Sequence, residues 1–265
     1  MNAQEFGLKP GQELFEGEYR TKMAELRQAG YTPWSTEDWM DARNSVDSDN
    51  PLWNNYGDSD FGIAGSKQKI YLMPHSERLR AVTPQTRLIK GGLSFTQDGA
   101  VSTYNRGDLI LGRDLTEEQA RTSSVWLDFA AGDQKRLDEY VEKTFRFGKD
   151  KFNYNIMMGI FVPEDEVERA VLLFSLYNRS HAVGYFHLSD FTRFVGVRRE
   201  ASISEQEAPI DAAPENEISP PLEYISNSPQ LLPRNIYNSA DLEYAKRLLQ
   251  GIPSGTVMDW KRNNR

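Results

Sequence analysis

The residues with the clearest chemical potential lie between positions 44 and 66. There Asp47, Asp49, Asn50, Asn54, Asn55, Asp58 and Asp60 are interleaved with Trp53, Tyr56 and Phe61, and no base occurs before Lys67. Alternating carboxylates followed by glycine, as in Asp58-Ser-Asp60-Phe-Gly62, let a tight turn gather oxygens around a hard cation. An EF-hand needs Glu at the twelfth position of such a loop; that position is Lys69, so an EF-hand is excluded. What remains is a looser Ca²⁺ or Mg²⁺ site built from Asp47, Asp49, Asp58 and Asp60. A solvated acidic connection without any ligand is the plainer reading of the same residues. Trp53 and Tyr56 beside Asn54 and Asn55 offer a second chemistry, stacking on and hydrogen-bonding a sugar.

Other catalytic constellations are thinner. The histidines are His75, His181 and His187. If the last two begin and end one strand, they stand about 20 Å apart and cannot share a metal. His187 with Asp190 across a turn would make a base and its orienting partner, although a histidine at a strand end is more commonly a structural hydrogen-bonder. The Gly148-Lys149 pair is followed by Asp150 and has Lys143 where a P-loop needs glycine, which removes that motif. Ser66-Lys-Gln-Lys69 fits the SxxK pattern but lacks its companions and reads as chance. Gly184-Tyr-Phe-His187 and Thr192 to Arg199 mix aromatics with bases, as an RNA-stacking sheet does. Residues 1–199 carry 25 basic and 29 acidic side chains, however, and that balance disfavours a polyanion. Asn178-Arg-Ser180 and Arg106-Gly-Asp108 match export-dependent motifs and read as chance.

Cysteine is absent, which excludes disulfide scaffolds, thiolate nucleophiles and cysteine zinc sites. The first residues lack the basic start and apolar run of a secretory signal, and no stretch of 18 apolar residues occurs. A cytoplasmic protein with no membrane span is expected.

The elements that must position these residues follow from periodicity. Phe15, Tyr19, Met23 and Leu26 recur at helical spacing and Gly30 ends the pattern, so the spacing predicts a helix there. Ser35-Thr-Glu-Asp38 is a capping box for a second helix carrying Trp39, Met40 and Ala42, and the two form a helical hairpin around Tyr31-Thr-Pro33. Its second helix has only Arg43 against Glu37, Asp38 and Asp41, so DNA recognition is not expected. Lys69 to Met73 reads as a strand, with Leu93 to Phe95 and Leu109 to Leu111 as shorter ones, and Thr116 to Gln119 is another capping box. Leu137, Tyr140, Val141, Thr144 and Phe145 define an amphipathic helix over 133–147, capped by Asp133 and stopped at Gly148. Strands are expected at 156–162, 170–177, 182–187 and 192–199, joined by short hairpins. The fold class is therefore an α+β core, residues 1–199, with a mainly antiparallel sheet.

Beyond it, residues 200–233 hold seven acids and no base, with prolines spread through 209–233, which predicts a disordered tether over 200–235. Residues 234–265 carry six bases and three acids, and within 236–265 Leu242, Ala245, Leu248 and Leu249 line one side of a short helix. At about 11 residues such a helix is marginal alone in water. It needs a surface, either on its own core or on a protein partner met through residues 240–250. The leading functional expectation is thus a non-enzymatic binding or adaptor protein with no cofactor. The alternative is a metal-assisted hydrolytic enzyme with the acidic loop 47–60 at its site.

Overall fold

The computed structural model describes residues 3, 5–96 and 99–198; the expected tether and the C-terminal helix lie outside them. The fold is a mixed α+β one. Its first strand, β1 (Gln12–Glu18), runs straight into helix α1 (Tyr19–Gln28). The helical spacing of Phe15 with Tyr19, Met23 and Leu26 therefore crosses an element boundary. Phe15 lies on a strand because residues 12–18 pair along their whole length with β10 (Phe191–Val197). Gly30, at φ 76°, ends α1 where sequence placed the stop.

The connection expected to be a helical hairpin is instead strand β2 (Thr32–Pro33), paired with the other edge of β10. Helix α2 (Thr36–Asn44) follows, capped by Ser35 and Asp38 as the capping box implies. The two helices do not share a core. Tyr19, Met23 and Leu26 of α1 pack with Phe194, whereas Trp39 and Met40 of α2 join the larger cluster around α7 (Gln134–Phe152).

The stretch expected to be an acidic loop is mostly ordered. After the short helix α3 (Pro51–Asn54), residues Gly57–Gly65 form strand β3, buried at every position. It pairs antiparallel with β4 (Lys69–Met73) and β8 (Val167–Leu173). The second sheet runs β6 (Ser102–Asn105), β4, β3, β8, β9 (Ala182–Val183), β7 (Ile160–Phe161), with β5 (Leu93–Ser94) against β8. It is a mixed sheet, because β7 and β9 are parallel. Residues 109–111 are not a strand, and the expected hairpin at 188–191 does not form, since β9 pairs with β8 and β10 lies in the other sheet.

The remaining helices cover the second sheet. α4 (Glu77–Arg80), α5 (Glu117–Arg121) and α6 (Ser124–Phe129) are short, and α5 opens on the expected box of Thr116 and Gln119. α7 buries Leu137, Tyr140, Val141, Thr144 and Phe145, then continues through Gly148. Gly148 does not stop it because glycine is needed there for packing: a Cβ would meet Met157 Cε at 2.8 Å. Asn153, in the left-handed region, ends the helix. At the centre, fully buried Arg43 has hydrogen bonds to Leu52 O, Asn55 O and the Tyr140 hydroxyl, and lies 5.6 Å from the centroids of Trp39 and Trp53.

Close packing at β3 yields a test. A Cβ on Gly57 would lie 1.7 Å from Trp39 Cζ2, whereas one on Gly107 would meet nothing within 4 Å. Overpacking of a filled core costs about 1–3 kcal/mol or more. Gly57→Ala should lower the unfolding free energy by about 3 kcal/mol in urea titrations, and Gly107→Ala should stay within about 0.5 kcal/mol of the parent.

Candidate functional site

The four aspartates proposed as metal ligands are not brought together. Asp47 and Asp49 are exposed between α2 and α3, while Asp58 and Asp60 are buried on β3 with partners of their own. Among the described residues, no three His, Asp or Glu side chains converge as a metal ion requires. Trp53 offers no face to a sugar, being fully buried and stacked on Tyr140, and Tyr56 lies under the Arg193 guanidinium. Leu242, Ala245, Leu248 and Leu249 fall outside the described residues.

Residues 58–60 are instead a structural hub. The β3–β8 register shifts between Asp58 and Gly62, so these residues leave the regular ladder. Asp58 accepts the Arg193 N–H of β10 at 3.1 Å, and its carbonyl accepts Trp39 Nε1 at 3.2 Å. Ser59 Oγ donates to Val171 O at 2.8 Å. Asp60 is held by the Arg80 guanidinium, with Nε at 2.7 Å, and its carbonyl accepts Ser76 N–H. Burial pushes the Asp58 carboxyl up to about 7, against the Arg193 N–H, which favours the charged form.

The histidines have assigned work. His75 Nδ1 lies 3.5 Å from Asp60 and its Nε2 lies 3.1 Å from Glu37, so both ring nitrogens face carboxylates. The Asp60 hydrogen bond, more than Glu37, raises its pKa. Neither nitrogen is left to serve a substrate. His187 uses its backbone N–H, not its ring, to meet the Asp190 carboxylate at 2.8 Å, which makes the pair a turn and not a base with its orienter.

His181 belongs to a different kind of place. It is buried, and its Nε2 is 2.6 Å from Asp114, whose other oxygen takes Arg179 Nη1. Burial of Asp114 opposes its charge, but the His181 hydrogen bond and the two neighbouring bases outweigh it and hold the carboxyl below the ordinary value. Around this clamp the rings form one run. Tyr177 meets Phe152 edge-on at 5.6 Å, Phe152 stacks on Tyr154 at 5.4 Å, and the Arg179 guanidinium covers Tyr154 at 4.8 Å. On the other side His181 tilts over Phe161 at 4.7 Å, and Phe161 reaches Tyr185 at 6.3 Å. Phe152, Tyr154, Tyr177 and Tyr185 are all partly exposed. Four non-glycine residues here, Asn153, Met158, Arg179 and Ser180, have positive φ. Such conformations cost energy and cluster where a site is held in shape.

Sequence reading passed over this surface because its parts come from residues 114, 152–161 and 177–185. The available signal was aromatics set beside amides and bases in connections, as in Phe152-Asn-Tyr154-Asn and Tyr177-Asn-Arg179-Ser-His181.

No protein-family model and no curated protein matches the chain. A solved structure described as "Accommodation of massive sequence variation in Nanoarchaeota by the C-type lectin fold" is similar over 71% of this chain and 97% of that one, with a TM-score of 0.56 at 17% identity. The fold is C-type lectin-like. In this fold the first strand closes on the last, and the polar hub fixes the closed ladder to the second sheet. No helix among the described residues is long and apolar enough to cross a membrane.

The raised Asp58 carboxyl gives a pH test. With its native pKa about 7 against an ordinary 3.8, the folded state binds more protons than the unfolded one between these values, so stability falls as pH rises through that window. Asp58→Asn keeps an acceptor for Arg193 N–H and removes the slope. Its unfolding free energy should match the parent near pH 4 and exceed it at pH 8, by at most on the order of 4 kcal/mol.

Proposed function

We propose that this chain is a non-enzymatic binding protein whose C-type lectin-like domain presents the Tyr177–Phe152–Tyr154–Arg179 face to a ligand. The observation that carries the reading is the unbroken run of partly exposed rings locked to a buried Asp114–His181 clamp. Tyrosine and phenylalanine rings give large contact area for little lost side-chain freedom, and pre-ordering them reduces the cost of binding further. The similar structure is described as accommodating massive sequence variation on this fold, which supports a division between a constant frame and a surface free to differ. Contact through rings and a guanidinium favours binding over catalysis.

The second part of the proposal concerns residues 236–265. Leu242, Ala245, Leu248 and Leu249 would dock as a helix on a protein surface, so that the chain links the domain's ligand to a protein partner.

The 265-residue chain screened on peptide and glycan arrays should show ligands that Tyr154→Ala loses at least tenfold, in a variant that still unfolds cooperatively. Retention of every ligand by Tyr154→Ala would refute the surface. Truncation after Asn235 should leave array binding intact and remove a co-purifying protein; an unchanged set of co-purifying proteins would sink the linking role.

A further inference from the structure

We infer that Arg179 is the receptor for a carboxylate carried beside an aromatic or apolar group on the ligand, an inference that rests on the binding reading above. The side chain is ordered before any ligand arrives. One face of its guanidinium lies on Tyr154 at 4.8 Å, and Nη1 is tied to Asp114. The other Asp114 oxygen is tied to His181, itself packed on Phe161, so the anchor is as rigid as the core beneath it.

The opposite edge of the fork is open. A guanidinium has five N–H donors in one plane, and the edge formed by Nε–H and Nη2–H matches the two oxygens of a carboxylate. Among the described residues neither Nε nor Nη2 of Arg179 has a hydrogen-bond partner, and 40% of the side chain is exposed. Three other arginines use that edge inside the protein. Arg80 gives its Nε and Nη2 to Asp60, Arg106 gives Nε and Nη2 to Ser66, Val162 and Pro163 carbonyls, and Arg136 gives Nε and Nη2 to Asp41. Arg179 is anchored through Nη1, so the Nε–Nη2 edge stays on its half-exposed side.

The backbone agrees. Arg179 and Ser180 stand consecutively at φ 58° and 48°, a conformation non-glycine residues avoid. Three hydrogen bonds enforce it: Arg179 N–H to Leu176 O, Ser180 N–H to Ser175 O, and Met158 N–H to Arg179 O. They fix where the guanidinium leaves the chain. Tyr154 and Phe152 lie beside it, so a carboxylate there brings its neighbouring group onto the rings.

The test uses the full chain with two probes, N-acetyl-tyrosine and N-acetyl-tyrosinamide, which share a ring and differ in the carboxylate. Binding is followed by NMR shifts of the arginine Nε–H and tyrosine ring signals. A charge-assisted pair should make the acid bind about tenfold more tightly than the amide. Arg179→Gln should bring that ratio near one, whatever the variant does to the affinity for the amide itself. Added salt gives the same reading without a variant, shrinking the ratio by screening and leaving the amide unaffected. Equal binding of both probes to the parent, a ratio that survives Arg179→Gln in a folded variant, or a ratio indifferent to salt would each overturn the carboxylate inference while the surface stands. Failure of both probes to bind would instead remove the surface reading, and the inference with it.

Discussion

Three consecutive polar residues, Asp58, Ser59 and Asp60, join parts of the domain that no backbone ladder connects. The three-stranded sheet and the larger mixed sheet are separate hydrogen-bonded units. The Asp58 carboxylate reaches the backbone of β10 in the first, while its own strand belongs to the second. Ser59 and Asp60 extend the junction to β8, α4 and, through Tyr19 O–H to Ser59 O at 3.4 Å, to α1. Burying such groups is costly unless each finds partners, and burial raises the Asp58 pKa despite its partners.

Local signals in the sequence were dependable where their partners were local. The capping boxes at Ser35 and Thr116, the stop at Gly30, the strand at Lys69 to Met73 and the amphipathic face around Leu137 all depend on residues within a few positions of one another. Strand β3 was illegible for the opposite reason. Its Gly, Asp and Ser residues have low strand propensity and read as a solvated loop. They are strand residues because Arg193, Val171 and Arg80, distant in sequence, satisfy them inside the protein.

The same distinction separates the expected site from the one found. Four aspartates close in sequence looked like ligands for one ion, yet burial divides them into an exposed pair and a buried pair. The surface around Arg179 draws on an aspartate from the connection before α5, rings from the end of α7, and bases from the segment between β8 and β9. Its components were visible individually, since aromatics, amides and bases crowd both segments. Their adjacency depends on the tertiary fold, in which β7 and β9 pair in parallel and draw the two segments side by side.

The position of β10 between β1 and β2 has a consequence for how the chain is made. Residues 12–18 and 32–33 leave a ribosome before residues 191–197, with which they pair. Until then β1 and β2 are unsatisfied edges beside a partly folded helix, the kind of exposed strand that recruits wrong partners. Assembly of this sheet is therefore a late, long-range event, slow by contact order. The small sheet that frames the domain cannot close until its last strand has been made.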